Sequence, residues 1–405
     1  MHIVLASAIQ YPDGGPGATR TLALARGLVE LGHAVSFIVI GQSEAPPQTD
    51  WPDFTWVTSR RSTSRLGPVA WRLELARGFG STLATVHTHS SIDGLLIVDR
   101  DSWILNRCRA AAERLRIPAF HELTEFLEYT PTSGVRNLVE SRLLLAELRR
   151  LSGVLSISTA LQRFLGSNGV PRVALTGPCV DARGWCFSRR LTLSDTLRVG
   201  YAGSLSQPKD GVLDLLEVIR RTRLLLPDME VRLDVVGGST DELAVAVAHA
   251  KDLGIAHDIR FHGKVRADAV APLLEGCHVL VLPRPASRQA EGGFPTKLGE
   301  YLATGRPVVT TSVGDIPKYL QPDITCLMVP PGNLHLMSEA IASVATDYVH
   351  AESIGRAGQQ LTQTTFHPRR VADALLQFVA SFSPSCVPQP IGRRDIRDSK
   401  GLGGA

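Results

Sequence analysis

The chain has 405 residues, 44% hydrophobic and 20% charged, which is long enough for two or three domains and too apolar for a disordered or collagen-like protein. Its formal charge of +4 is unevenly spread: residues 1–190 hold 21 arginines, no lysine and 16 acidic residues, and the rest holds 22 basic and 23 acidic residues. The arginine-rich half permits contact with anionic lipid headgroups or phosphate-bearing substrates, but it lacks the dense basic patches of nucleic-acid binders.

Six cysteines without a C-x-x-C pair suggest neither a zinc site nor a disulfide framework. The opening MHIVLASAIQYPDGG lacks a basic segment followed by a long apolar one, and no run of about 18 apolar residues occurs. The expectation is a cytoplasmic protein, with peripheral contact at the inner membrane face left open.

In chain order, residues 2–6 read as a strand, 13–17 as a glycine-rich loop, the next stretch as a helix with Leu24, Leu28 and Leu31 on one face, and 34–40 as a second strand. Gly32 supplies the helix stop. Strand, crossover helix and strand make a βαβ unit and a parallel sheet. The loop glycines Gly14, Gly15 and Gly17 let backbone amides approach an anion at a helix N-terminus. As a dinucleotide fingerprint they are weak, because Arg20 stands where the third glycine belongs. Glu44 beyond the second strand keeps an NAD-dependent oxidoreductase open as an alternative.

Further strands are predicted near 55–57, 85–87, 119–121, 153–157 and 172–175. His87 and His89 would share one side of a strand but have no third ligand nearby, so no metal site is expected there. The arginine-studded stretches 103–116 and 135–151 read as outer amphipathic helices. Periodicity lapses over 182–196, the predicted domain junction. Strands at 197–202, 231–236, 259–262, 279–282, 307–310 and 327–329 then alternate with helices near 211–226, 240–253, 266–274, 296–304 and 333–347, which describes a second doubly wound α/β domain. A last helix near 367–382 either closes that domain or crosses back to the first. Residues 383–405, rich in Pro, Gly and charge, are expected to be disordered.

No G-x-x-x-x-G-K-[ST] and no G-x-S-x-G motif occurs, which removes P-loop enzymes and nucleophile-elbow hydrolases. Two segments carry chemistry instead. In YAGSLSQPKDGV, Lys209 follows a strand and precedes a helix, where a cation can neutralise phosphate oxygens. In EGGFPTKLGEYLATGRPVV, from Glu291, a glycine-rich loop runs into a helix carrying Lys297 and Glu300. The loop and helix start at Gly293, Phe294, Pro295, Thr296, Lys297 and Leu298 offer backbone amides suited to a diphosphate, Pro295 fits the first turn of the helix, and Glu300 suits ribose hydroxyls.

Together with GLVELGHAVSF from Gly27, these segments resemble the retaining nucleotide-sugar glycosyltransferases of family 4. That resemblance implies a GT-B fold: two Rossmann-like domains facing a cleft, with acceptor bound mainly by residues 1–185, the nucleotide-sugar by 196–366, and the final helix joining the first domain if it returns. It further implies a basic pair on the diphosphate, of which Lys209 is one member while Ser204 stands where arginine is usual. The family's paired glutamates are seven residues apart, so Glu300 as the second puts Gly292 at the first, with Glu291 one position early. His121 falls where the family places a histidine near the donor sugar, Val265 where backbone holds the base, and Gly15 in the loop facing the donor. Glu122 and Glu125 read as solvated, with acceptor contact as the functional alternative. The family usually needs no metal, so none is expected. A nucleotide-sugar epimerase of the same fold is a second alternative.

Overall fold

The computed structural model describes residues 1–9, 11, 15–40, 54–59, 67–128, 134–187 and 189–382. Two separate sheets, all of whose strand pairs are parallel, organise it. The first contains β1 (His2–Ser7), β2 (Ala34–Ile40), β3 (Phe54–Ser59), β4 (Gly94–Ile97), β5 (Ala119–Leu123), β6 (Gly153–Ser156) and β7 (Val173–Leu175), in the order β3-β2-β1-β4-β5-β6-β7. The second contains β8 (Thr196–Ala202), β9 (Glu230–Val236), β10 (Ile259–Gly263), β11 (Val279–Leu282), β12 (Val308–Thr311) and β13 (Leu327–Val329), in the order β10-β9-β8-β11-β12-β13.

Short apolar runs such as VLVL in β11 are buried at every position because helices cover both faces of each sheet. Strand order reverses between β1 and β4 in the first sheet and between β8 and β11 in the second. At such a switch point the loops leaving the carboxyl ends of adjacent strands diverge and leave a crevice. The second sheet's crevice therefore lies between the loop after β8, which carries Lys209, and the loop after β11, which carries Glu291.

The structure corrects the sequence expectation in two places and decides a third that the sequence left open. The predicted strand at 85–87 lies in the helix Gly67–His89, and β4 follows it at Gly94–Ile97. His87 ends that helix by accepting the Ile92 amide at 3.1 Å, so it does not pair with His89 on a strand. A helix that the periodicity did not reveal, Tyr348–Gln363, follows Leu334–Thr346. Its buried side is Ala351, Ile354, Gly355, Gly358 and Thr362, so a single large apolar residue, Ile354, marks the face. The small side is functional packing, since a Cβ at Gly355 would fall 2.5 Å from the Arg306 carbonyl carbon.

Finally, the last helix, Pro368–Ala380, returns to the first sheet. Val371, Leu375 and Val379 join Ile3, Leu5, Leu24, Leu28 and Phe120 in one buried cluster. Phe378 and Phe382 pack against Phe120 with ring centroids 5.7 and 5.2 Å away. The helix lies so close to the helix Pro16–Glu30 that a Cβ on Gly27 would come within 2.4 Å of the Pro368 carbonyl oxygen.

Candidate functional site

The loop after β8 turns at Gly203 and forms the short helix Gln207–Asp210. Ser204 donates its hydroxyl to Asp210 Oδ2 at 2.8 Å, and Tyr201 donates to the Ser204 carbonyl. Lys297, in the first turn of the helix Thr296–Ala303, donates to the same Asp210 oxygen at 2.9 Å and to Tyr201 Oη at 3.1 Å, with its ammonium 4.9 Å from the Tyr201 ring centre. Burial pushes the Lys297 pKa down, opposed by Asp210. Burial would raise Asp210, but Lys297, Ser204 and Arg284 outweigh it and hold the carboxyl below its ordinary range. Lys297 and Asp210 are therefore a charged, nearly enclosed pair.

Beside this pair stands Arg284, in the loop after β11, with 3% of its surface exposed. Burial lowers its pKa, with Asp210 and Glu125 opposing. Glu300 lies one turn beyond Lys297, and burial pushes its carboxyl up to about 7 against the pull of Lys297. The helix Thr296–Ala303 has no side-chain cap at its N-terminus, where Pro295 is the capping residue, so its first amides and dipole are offered to whatever occupies the crevice.

From the facing half, Glu125 reaches across. It accepts Lys209 Nζ at 2.8 Å and Arg100 Nη1 at 3.0 Å. Arg100 also donates to the Phe126 carbonyl at 2.7 Å. Glu122 is buried, with its oxygens 3.1 and 2.8 Å from the Arg20 guanidinium. Both glutamates are thus ion-paired rather than solvated. Arg20, which spoils the dinucleotide fingerprint, is the element that ties the first helix to β5.

His121 is fully buried on β5 beside Ile97, the last residue of β4. Its Nδ1 faces the Ile97 carbonyl at 2.9 Å, which assigns the proton to Nδ1 and leaves Nε2 a lone pair without a hydrogen-bond partner. Burial and Arg100 lower its pKa to about 4, so the ring is neutral at pH 7.

The other predicted residues lie around this cluster. Gly292 carries no side chain because none fits: a Cβ would lie 2.5 Å from the Phe126 ring. Its carbonyl instead accepts Ser158 Oγ at 2.6 Å, joining the two halves. Glu291 is exposed on the short helix Arg288–Gly292. Phe294 packs between Tyr319 and Phe366, with ring centroids 5.6 and 5.7 Å away, and Leu298 is buried in the core, so both can offer only backbone to a ligand. Val265 follows β10 half-buried. Gly15 is the N-cap of the first helix at φ 71°, while Gly14 and Glu44 lie outside the described residues.

Sequence reasoning also passed over the triplet Asp99-Arg100-Asp101 as a carboxylate pair. It is consumed locally: Asp99 accepts the amides of Ala8 and Asp101, and Asp101 caps the helix Ser102–Arg114. Among the described residues no group of three or more His, Cys, Asp or Glu side chains is arranged to hold a metal ion. Asp210 was missed as well, because nothing in its own neighbourhood announces a partner 87 residues away.

The crevice thus gathers Ser204, Lys209, Asp210, Arg284, Lys297 and Glu300. Residues 196–347 match the family model of group 1 glycosyl transferases. The matched residues span the second sheet and include every one of those six residues. No curated protein matches the chain significantly by sequence. Among solved structures, sucrose-phosphate synthase from Thermosynechococcus elongatus is similar at TM-score 0.70 and 16% identity, over 94% of this chain and 98% of that one. Anabaena HepE, solved in complex with UDP, gives TM-score 0.68 at 17% identity over 94% and 100%. WaaG, a glycosyltransferase involved in lipopolysaccharide biosynthesis, gives 0.61 at 13% over 92% and 98%. The shared architecture is the GT-B fold, two Rossmann-like domains facing a cleft.

Proposed function

We propose that this protein moves a sugar from a nucleoside diphosphate sugar to an acceptor hydroxyl with retention at the anomeric carbon, in the synthesis of a glycan, polysaccharide or glycoconjugate. The observation that carries the reading is the crevice itself. Three cations, Lys209, Lys297 and Arg284, and an uncapped helix N-terminus converge there within the region that matches group 1 glycosyl transferases. The UDP and UDP-glucose bound in structures of Anabaena HepE support a nucleotide-sugar donor.

Departure of a nucleoside diphosphate builds negative charge on its outer phosphate, so the main demand on the protein is electrostatic. In this reading Lys209 and the amides of Gly293, Phe294, Thr296 and Lys297 take up that charge, while Leu298, whose amide donates to the Pro295 carbonyl at 3.0 Å, closes the turn. Glu300 holds ribose hydroxyls, the backbone at Val265 holds the base, and Ser204 and Gly15 border the donor. His121, with its bare Nε2, serves the donor sugar in this reading, and Glu291 reaches the sugar hydroxyls from its exposed position. The charge is met by side chains and amides, so the reading calls for no metal. To bind a donor, Lys209 must exchange Glu125 for phosphate, which makes that contact a natural partner of cleft opening and closing.

Incubation with labelled UDP- and GDP-sugars tests the reading. Transfer or donor hydrolysis is expected from the natural chain, and Lys209→Ala and Glu300→Gln should each lower it about 10-fold or more. Undiminished rates in both variants would overturn the site assignment, and no turnover with any donor would overturn the class. The anomeric configuration of the product, read by NMR, decides retention. A sugar of inverted ring-carbon configuration, formed without any acceptor, would point to an epimerase.

A further inference from the structure

Arg284 is the one member of the cluster that the fold does not account for. It directly follows β11, and the loop that holds it is pinned on two sides. A Cβ on Gly211 would lie 2.2 Å from the Pro283 carbonyl oxygen, and the Arg284 carbonyl accepts Thr311 Oγ1 at 2.7 Å. The residue is 3% exposed, its Nε is buried without a partner, and it forms no ion pair among the described residues. The two carboxylates close enough to act on it are already engaged, Asp210 by Lys297 and Ser204, Glu125 by Lys209 and Arg100. Lys209 and Lys297 each have a carboxylate. Arg284 is the uncompensated charge of the group.

A buried guanidinium without a counter-charge is costly, and a protein that keeps one has an anion from outside to offset it. Ser204, at the start of the loop after β8, has its hydroxyl bound to Asp210 and carries no charge, so that loop offers the crevice no arginine. We infer that Arg284 is the diphosphate-binding arginine of this cleft, supplied from the loop after β11 instead of the loop after β8. This rests on the donor being a nucleoside diphosphate sugar. A planar fork of donors suits two phosphate oxygens at once, which a lysine at the same position could not match.

Calorimetric titration of the full chain with UDP, GDP and inorganic pyrophosphate, for the natural protein, Arg284→Met and Arg284→Lys, tests the inference, together with melting of each form without ligand. Arg284→Met is expected to bind diphosphate about 10- to 100-fold more weakly, Arg284→Lys to fall between, and the ligand-free melting temperature of Arg284→Met to stay level or rise. Unchanged diphosphate affinity in Arg284→Met would overturn it. So would a lower ligand-free melting temperature or failure to fold, because either result assigns the guanidinium to the scaffold. Pyrophosphate binding that depends on Arg284, with no binding of either nucleotide, would sink the transferase reading and leave the anion subsite standing. Nucleotide binding indifferent to Arg284 would do the reverse, and no binding of any of the three would overturn both.

Discussion

Glu300 shows how a single residue's environment becomes measurable. Burial holds its carboxyl at about 7 against an ordinary 4.5, so the folded chain keeps this proton over a range where the unfolded chain has released it. The stabilisation it provides is complete below the unfolded value and is lost as pH rises from about 4.5 to 7. Glu300→Gln removes that dependence. Its stability relative to the natural chain should rise across this window by roughly 1–3 kcal/mol and level off above it, as read by urea unfolding at pH 5, 6, 7 and 8. Parallel stability profiles for the two proteins would show that the carboxyl titrates normally. His121 works in the opposite sense: with its folded value lowered to about 4, it stabilises above the imidazole's ordinary 6.5 and loses that contribution as pH falls toward 4. The sequence singled out Lys209, Lys297 and Glu300, and the fold brings them to one crevice. Their partners were not legible there, since a side chain's charge state depends on neighbours that only folding supplies.

At the scale of elements, packing without side chains decides how the last helix docks. Gly27 sits under Pro368 and Arg369, whose backbone atoms lie 2.4 to 2.9 Å from where a Cβ would be. Backbone cannot swing aside, so Gly27→Ala should destabilise the protein by about 1–3 kcal/mol. Gly166→Ala, on a helix surface with nothing within 4 Å of the added methyl, should be neutral or gain up to about 1 kcal/mol from helix propensity. Thermal unfolding of the two variants checks the contrast, and equal shifts would mean that the final helix does not depend on that close approach. The sequence marked the helices with a clear apolar stripe and missed Tyr348–Gln363. Its buried face holds one large apolar residue, Ile354, among glycine, alanine and threonine, which fill a close contact well but leave too sparse a stripe in a hydrophobic pattern. The predicted strand at 85–87 failed for a related reason: over so short a run, alternating small and apolar residues fit either period.

Across the whole molecule, the two halves meet through a few polar contacts around the cleft. Ser158 reaches the Gly292 carbonyl, Thr159 Oγ1 and its amide both donate to Asp315 at 2.8 Å, and Lys209 reaches Glu125. The arginine excess of the first half has a surface counterpart in the helix Gly134–Leu148. There Val135, Leu138, Val139 and Leu143 are exposed by 78, 53, 49 and 51%, with Arg136 and Arg142 among them, while Leu144 and Leu148 face the core. No described helix is long and apolar enough to cross a membrane. We propose that this helix is the peripheral contact with an anionic bilayer, an apolar stripe flanked by arginines being suited to the interface. Co-sedimentation with vesicles containing phosphatidylglycerol is expected at low salt and should weaken at high salt. Replacing Leu138 and Leu143 by Ser should reduce it, and absence of binding at either salt concentration would leave the charge asymmetry a property of the surface alone.

By itself the sequence determined the alternation of strands and helices, the two parallel sheets, and the glycine-to-helix turns suited to phosphate, because each depends on residues close together in the chain whose burial repeats with a fixed period. Tertiary structure alone decided which charges meet. The Lys297–Asp210 pair, the reach of Lys209 across to Glu125, the isolation of Arg284, the occlusion of Gly292 by Phe126 and the return of the last helix all join segments far apart in sequence. Their energies depend on distance and burial, and those quantities exist only once the switch points have set the loops side by side.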